Sequence, residues 1–125
     1  MPLKDVQKEV DKWAQQFKVP YWKPLEILAR LTEETGELAR ELNHRFGPKQ
    51  KKSSELDAGK TCVQLGDVKD VEDEIGDVIF TVACLANSLN IDLEKCFSKA
   101  MGKCYGRDND RYEKAAKTSA YKAKE

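Results

Sequence analysis

Apolar residues recur along most of this chain at three- and four-residue intervals, with polar residues filling the gaps. Leu3, Val6, Val10, Trp13 and Phe17 form one such stripe over 3–18, the mark of an amphipathic helix. Val19-Pro20-Tyr21-Trp22-Lys23-Pro24 interrupts it. Pro24 suits the first turn of a following helix, where its missing N–H is harmless. That second helix is expected over 24–46, with Ile27, Leu28, Leu31, Leu38, Ala39, Leu42 and Phe46 as its buried stripe and Gly47-Pro48 as its stop.

A third helix is expected over about 70–89, carrying Val71, Ile75, Val78, Ile79, Val82, Leu85, Ala86 and Leu89 on one side and ended by Asn90. Asp92 is a good N-cap for a fourth, which carries Leu93, Phe97, Ala100, Met101, Cys104 and Tyr105. Between the second and third helices lies a long polar connection, 47–69, rich in Gly, Ser and Lys. Its Leu56, Cys62, Val63 and Leu65 suit one short strand or one helical turn, and the pattern does not choose between them. The tail over 114–125 is Lys- and Ala-rich without a stripe and is expected to fray. The whole reads as one all-α domain over 1–113, a four-helix bundle.

Composition narrows this further. At 125 residues the chain suits a single domain. It is 35% charged, 40% hydrophobic and only 8% aromatic, a lean core for its size. Small helical chains of this kind often complete their core with a second copy. Lys plus Arg and Asp plus Glu both number 22, so there is no basic excess to hold nucleic acid. The four cysteines form no CxxC pair and the chain has one His, which argues against a zinc site and for reduced thiols. With no long apolar run, a cytoplasmic protein without membrane contact is expected.

The acidic residues are the chemically suggestive feature. Glu33-Glu34-Thr35-Gly36-Glu37 lies in the second helix and Glu74-Ile75-Gly76-Asp77 in the third. Each contains Glu, any residue, Gly, an acid and then an aliphatic. On a helical wheel, Glu34 falls roughly 80° from the centre of its apolar stripe and Glu37 roughly 140° away, with Glu74 and Asp77 at nearly the same offsets. If these two edges face one another, four carboxylates converge. Like charges that close raise one another's pKa, and a hard divalent cation such as Mg²⁺ or Mn²⁺ resolves the conflict. Gly36 and Gly76 each cost about 1 kcal/mol of helix propensity relative to Ala, which suggests close approach by a facing helix or a ligand. A di-iron bundle would need a Glu-x-x-His motif on two helices; Glu41 and His44 supply only one, and His44 reads as a polar residue at the helix end. Solvated acidic faces remain the bland alternative.

At these residues the chain resembles the MazG-type all-α nucleoside triphosphate pyrophosphohydrolases, marked by EExxE on one helix and ExxD on the next. The likeness covers about 3–46 and 70–113. It implies Mg²⁺-dependent hydrolysis of a nucleoside triphosphate to the monophosphate and pyrophosphate, such as house-cleaning of non-standard nucleotides, in a homodimer or homotetramer. It makes Glu34, Glu37, Glu74 and Asp77 the metal ligands and Glu34 the group that positions or deprotonates water. Lys103 and Arg107, spaced i, i+4, become candidates for holding phosphates, and Trp22 a candidate substrate contact. Glu33, at roughly 180° from the stripe, points further out. Many relatives of this type carry Asn where this chain has Gly102. Other readings are a dCTP/dUTP-specific or phosphoribosyl-ATP pyrophosphohydrolase, and a non-catalytic helical dimerisation module.

Overall fold

Four helices form, and the breaks between them fall where the chain carries Pro, Gly or Asn. The computed structural model describes residues 1–48 and 68–115. These comprise α1 (Leu3–Ala14), α2 (Pro24–Phe46), α3 (Lys69–Ser88) and α4 (Leu93–Arg107), with no strand among the described residues. The all-α expectation therefore holds. Residues 49–67, with the possible strand or turn near Leu56, Cys62, Val63 and Leu65, lie outside the described residues, as does the tail from 116 onward.

Local chemistry accounts for the helix ends. α1 stops at Ala14, four residues before the expected end, and the chain tightens: Gln16 and Phe17 donate to the carbonyls of Trp13 and Ala14. Pro20 biases Val19 away from the helical region, so a turn cannot propagate across them. At the start of α2, Pro24 occupies the first helical position and the Lys23 backbone N–H donates to Glu26 Oε1 at 2.9 Å. Gly47 follows the last residue of α2 in an extended conformation, and a Cβ there would sit 2.8 Å from the Asn43 carbonyl oxygen, so the position suits glycine. Asn90 takes φ 55° beyond α3, and Ile91 and Asn90 donate to the carbonyls of Ala86 and Asn87, a Schellman closure.

By its contacts the chain divides into Met1–Leu93 and a second unit from Glu94 onward. In the first, α3 packs against both α2 and α1. A polar network ties α1 to the end of α3. Gln7 Nε2 donates to Asn87 Oδ1 and the Ile91 carbonyl, Asn87 Nδ2 donates to Gln7 O and the Tyr21 hydroxyl, and Tyr21 donates to Asp11 Oδ1 at 2.6 Å. The second unit carries α4, none of whose side chains is buried. No single described helix is long and apolar enough to cross a membrane.

The buried apolar side chains among the described residues are Val10, Ala14, Ile27, Val71, Ala83 and Ala86, half of them alanine. α2 departs most from its expected packing. Of its apolar stripe only Ile27 is buried and Leu31 and Leu38 are half-buried; Leu28, Ala39, Leu42 and Phe46 are exposed. The line that faces inward is Ile27, Leu31, Glu34, Leu38, Glu41 and Arg45, so α2 is turned roughly 60° from a stripe-centred packing. His44, expected as a polar residue at the helix end, is buried beside it. Arg45 pairs with Asp70 Oδ2 at 2.7 Å, tying the end of α2 to the start of α3.

Candidate active site

The rotation of α2 brings the acids to the α2–α3 seam. Glu34 and Glu37 are one turn apart on α2, and Glu74 and Asp77 one turn apart on α3. Glu34 is buried at 6% exposure and Glu74 is half-buried, while Glu37 and Asp77 are exposed. One acid of each pair therefore sits at the core edge and the other further out. Glu34, Glu37 and Glu74 each offer a carboxylate oxygen, and the three oxygens lie within 4.8 Å of one another. Asp77 is outside that trio, although its charge acts on Glu34 and Glu74. Glu33 is exposed, as its wheel position requires.

This arrangement is electrostatically unfavourable by itself. Burial, then the charge of Glu37, pushes the Glu34 carboxyl above its usual range, with Arg30 opposing. Burial, then Glu37 and Asp77, pushes Glu74 up to about 7. Oε2 of Glu34 and Oε2 of Glu74 are buried with no hydrogen-bond partner. Buried carboxylate oxygens without donors are destabilising, and converging hard oxygen donors are what Mg²⁺ and Mn²⁺ prefer. The residues present fit such an ion. Adding a Cβ to Gly36 or Gly76 meets nothing within 4 Å, so the facing helix is not what approaches these glycines.

A side chain that the sequence reading passed over joins this centre to its surroundings. Arg30 pairs with Glu34 Oε1 at 3.1 Å, and its guanidinium carbon lies 5.8 Å from the centroid of the Trp22 ring. The signal was available, because opposite charges four apart on a helix meet. Arg30 and Trp22 also line a cavity of about 420 Å³ beside α3. Trp13 packs edge-on against Phe17 and Phe80, at 4.9 and 5.6 Å between ring centroids, and all three rings line the same space. Trp13 and Phe17, expected in the core, are instead half-exposed. Tyr21, Thr81 and Cys84 complete the polar part of its wall. Thr81 is fixed by donating to the Asp77 carbonyl at 2.8 Å.

Lys103 and Arg107 lie four residues apart on α4, both exposed, with Arg107 Nε 3.2 Å from Asp108 Oδ1. They belong to the second unit and are described only there. Cys84, Cys96 and Cys104 are free thiols.

Three comparisons bear on this geometry. The family profile of the MazG nucleotide pyrophosphohydrolase domain matches residues 23–112. An uncharacterised Bacillus subtilis protein, YpjD, is 51% identical over 110 residues, covering 88% of this chain and 89% of its own. The crystal structure of YpjD, described as a candidate pyrophosphatase, superposes with a TM-score of 0.67 at 50% identity, covering 82% of this chain and 94% of that one. A Bacillus-conserved MazG protein, described as a nucleotide pyrophosphohydrolase, superposes equally well, with a TM-score of 0.67 at 45% identity over 89% of this chain and 97% of its own. Both acid motifs fall inside the matched region, and the chain belongs to the MazG nucleotide pyrophosphohydrolase family.

Proposed function

We propose that this protein hydrolyses a nucleoside triphosphate to the monophosphate and pyrophosphate at a divalent-cation centre formed by Glu34, Glu37, Glu74 and Asp77. Mg²⁺ is the expected ion, with Mn²⁺ able to substitute. The observation that carries this reading is the mutual approach, within 4.8 Å, of oxygens from Glu34, Glu37 and Glu74. When bound, the cation neutralises polyphosphate charge, which is the main requirement of phosphoryl chemistry. The residues supply the rest. Glu34, buried and half-satisfied, positions water and accepts its proton as the α–β phosphoanhydride bond breaks and pyrophosphate leaves. Lys103 and Arg107 hold phosphates, and Trp22 takes the base. The family assignment favours this enzyme over a non-catalytic dimerisation module.

The working unit is a homodimer or homotetramer in the cytoplasm. The support is the thin core together with the apolar residues left outside on two helices, Leu28, Leu42 and Phe46 of α2 and Ile75 and Ile79 of α3, each more than 40% exposed. Exposed apolar side chains in such numbers often mark a partner surface, and a second copy supplies the same surface to itself. The function is tested by screening a broad (d)NTP panel for released pyrophosphate with Mg²⁺ or Mn²⁺ and with chelator. Metal-dependent release from at least one nucleotide is expected; no turnover above a buffer blank at saturating metal overturns the reading.

A further inference from the structure

We infer that Arg30 is a specificity-determining residue that selects nucleobases carrying a carbonyl, rather than an amine, at pyrimidine C4 or purine C6. The inference rests on the proposed nucleotide hydrolysis and deepens it. It starts from the position of Arg30, whose guanidinium touches both compartments of the site: it is paired with Glu34 at 3.1 Å and lies over Trp22 at 5.8 Å. A ligand with a phosphate end at the carboxylates and a flat aromatic end in the cavity would meet this one side chain at its middle. The cavity, about 420 Å³ and walled by aromatic rings, is within the range of small-ligand pockets.

The selectivity follows from which polar groups the lining side chains offer. Among the described residues that line the cavity there is no carboxylate and no side-chain amide. The Tyr21 hydroxyl donates to Asp11 and accepts from Asn87, and the buried Thr81 hydroxyl donates to the Asp77 carbonyl. Both hydroxyl protons are therefore used and the two oxygens keep only lone pairs, so the strong donors left for a ligand are the Arg30 guanidinium and the Trp13 and Trp22 indole N–H groups. Guanidinium contributes five N–H groups and accepts nothing, and Arg30 pairs with Glu34. At the edge that carries the pyrimidine C4 or purine C6 substituent, such a group hydrogen-bonds a carbonyl oxygen and repels N–H₂. Arg30 keeps 43% of its side-chain surface exposed, so it can turn from the Trp22 face toward a base stacked there.

The test uses pairs in which the carbonyl at pyrimidine C4 or purine C6 is exchanged for an amine, the adjacent ring nitrogen losing its N–H: dUTP against dCTP, and dITP against dATP. The protein with Mg²⁺ should favour the carbonyl member of each pair by about ten- to hundredfold in kcat/KM, the discrimination of one good guanidinium contact. Arg30→Met, which keeps length and apolar bulk, should bring both ratios toward unity, and Arg30→Lys should restore part of the preference. A role exerted only through Glu34 would slow all four nucleotides alike and leave the ratios intact. A second arm needs no turnover. The chain has two tryptophans, Trp13 and Trp22, both at the cavity, so fluorescence quenching should report UMP binding more tightly than CMP, and IMP than AMP. If turnover is absent but this binding order appears and Arg30→Met abolishes it, the hydrolytic reading fails and this inference stands. Equal ratios, an amine preference, or a carbonyl preference that survives Arg30→Met would overturn it.

Discussion

Arg30 holds one oxygen of Glu34 at 3.1 Å, and the other oxygen of that carboxylate is buried with no hydrogen-bond partner. A half-satisfied buried anion is destabilising, and the ion pair compensates only in part because Arg30 is itself 43% exposed and screened by solvent. One oxygen of this carboxylate lies within 4.8 Å of oxygens of Glu37 and Glu74. The chain is thus strained electrostatically at the place where it is proposed to work, and a bound cation would relieve that strain.

Mg²⁺ or Mn²⁺ should therefore stabilise the folded protein without nucleotide. Binding to the folded state alone contributes about 2.7 kcal/mol at a hundredfold excess over Kd. For a domain of this size that corresponds to several degrees in Tm. Thermal unfolding with metal and with chelator measures it directly. Glu37→Gln should lose most of the shift, and a wild-type Tm indifferent to both metals would remove the metal centre.

The raised carboxyls give the metal-free protein a signed pH dependence. Glu74 moves from an ordinary value near 4.5 up to about 7, and Glu34 moves in the same direction. In the window between those values the folded state binds more protons than the unfolded state, so stability falls as pH rises. The contribution is fully present below about pH 4.5 and is lost through about pH 7. Urea unfolding in chelator across pH 4.5–8 should show this decline from Glu74, and Glu74→Gln should flatten it. With saturating Mg²⁺ the decline should be smaller, because the cation competes with the proton, and metal affinity should rise across the same window. Stability in chelator that climbs steadily through pH 7 would contradict the assignment.

The helices and the two acid motifs were legible from periodicity because both depend on spacing within a segment. The direction in which α2 turns was not. Ile27, Leu31 and Leu38 belong equally to the stripe with Leu28, Leu42 and Phe46 and to the inward line with Glu34, Glu41 and Arg45. Periodicity alone averages those two faces, and burying carboxylates on the inward one runs against the ordinary preference for apolar cores. Trp13 and Phe17 were misplaced for a related reason: an aromatic stripe looks the same whether it fills a core or walls a cavity. Arg30 was legible by its spacing from Glu34, but its second contact, to Trp22, depends on the turn before α2.

The outward stripe leads to a test of assembly. Leu28 and Ile79 are each 49% exposed, so about half of each side chain is open to a partner. Sedimentation at micromolar concentration should show a dimer or larger, and a clean 14.2 kDa species would remove the claim. Leu28→Glu or Ile79→Glu should shift the equilibrium toward monomer while helical content by circular dichroism persists. If either substitution unfolds the protein instead, the face is coupled to folding, as in obligate dimers, and tuning with Leu28→Ala separates the two effects.

The carboxylates themselves should behave as one unit. Glu37→Gln and Asp77→Asn keep size while removing a negative charge, and each charge contributes to raising Glu34 and Glu74. In chelator both variants should be as stable as the wild type or slightly more so, because repulsion at the seam falls. Activity should move the opposite way, dropping by several orders of magnitude in either variant. The double variant should lose far less than the product of the two single losses, since groups serving one centre are non-additive. Glu33→Gln supplies the control: Glu33 is exposed and outside the converging trio, so its loss should be mild. Near-normal turnover in Glu37→Gln and Asp77→Asn, with Glu33→Gln inactive, would place the chemistry on the other face of α2.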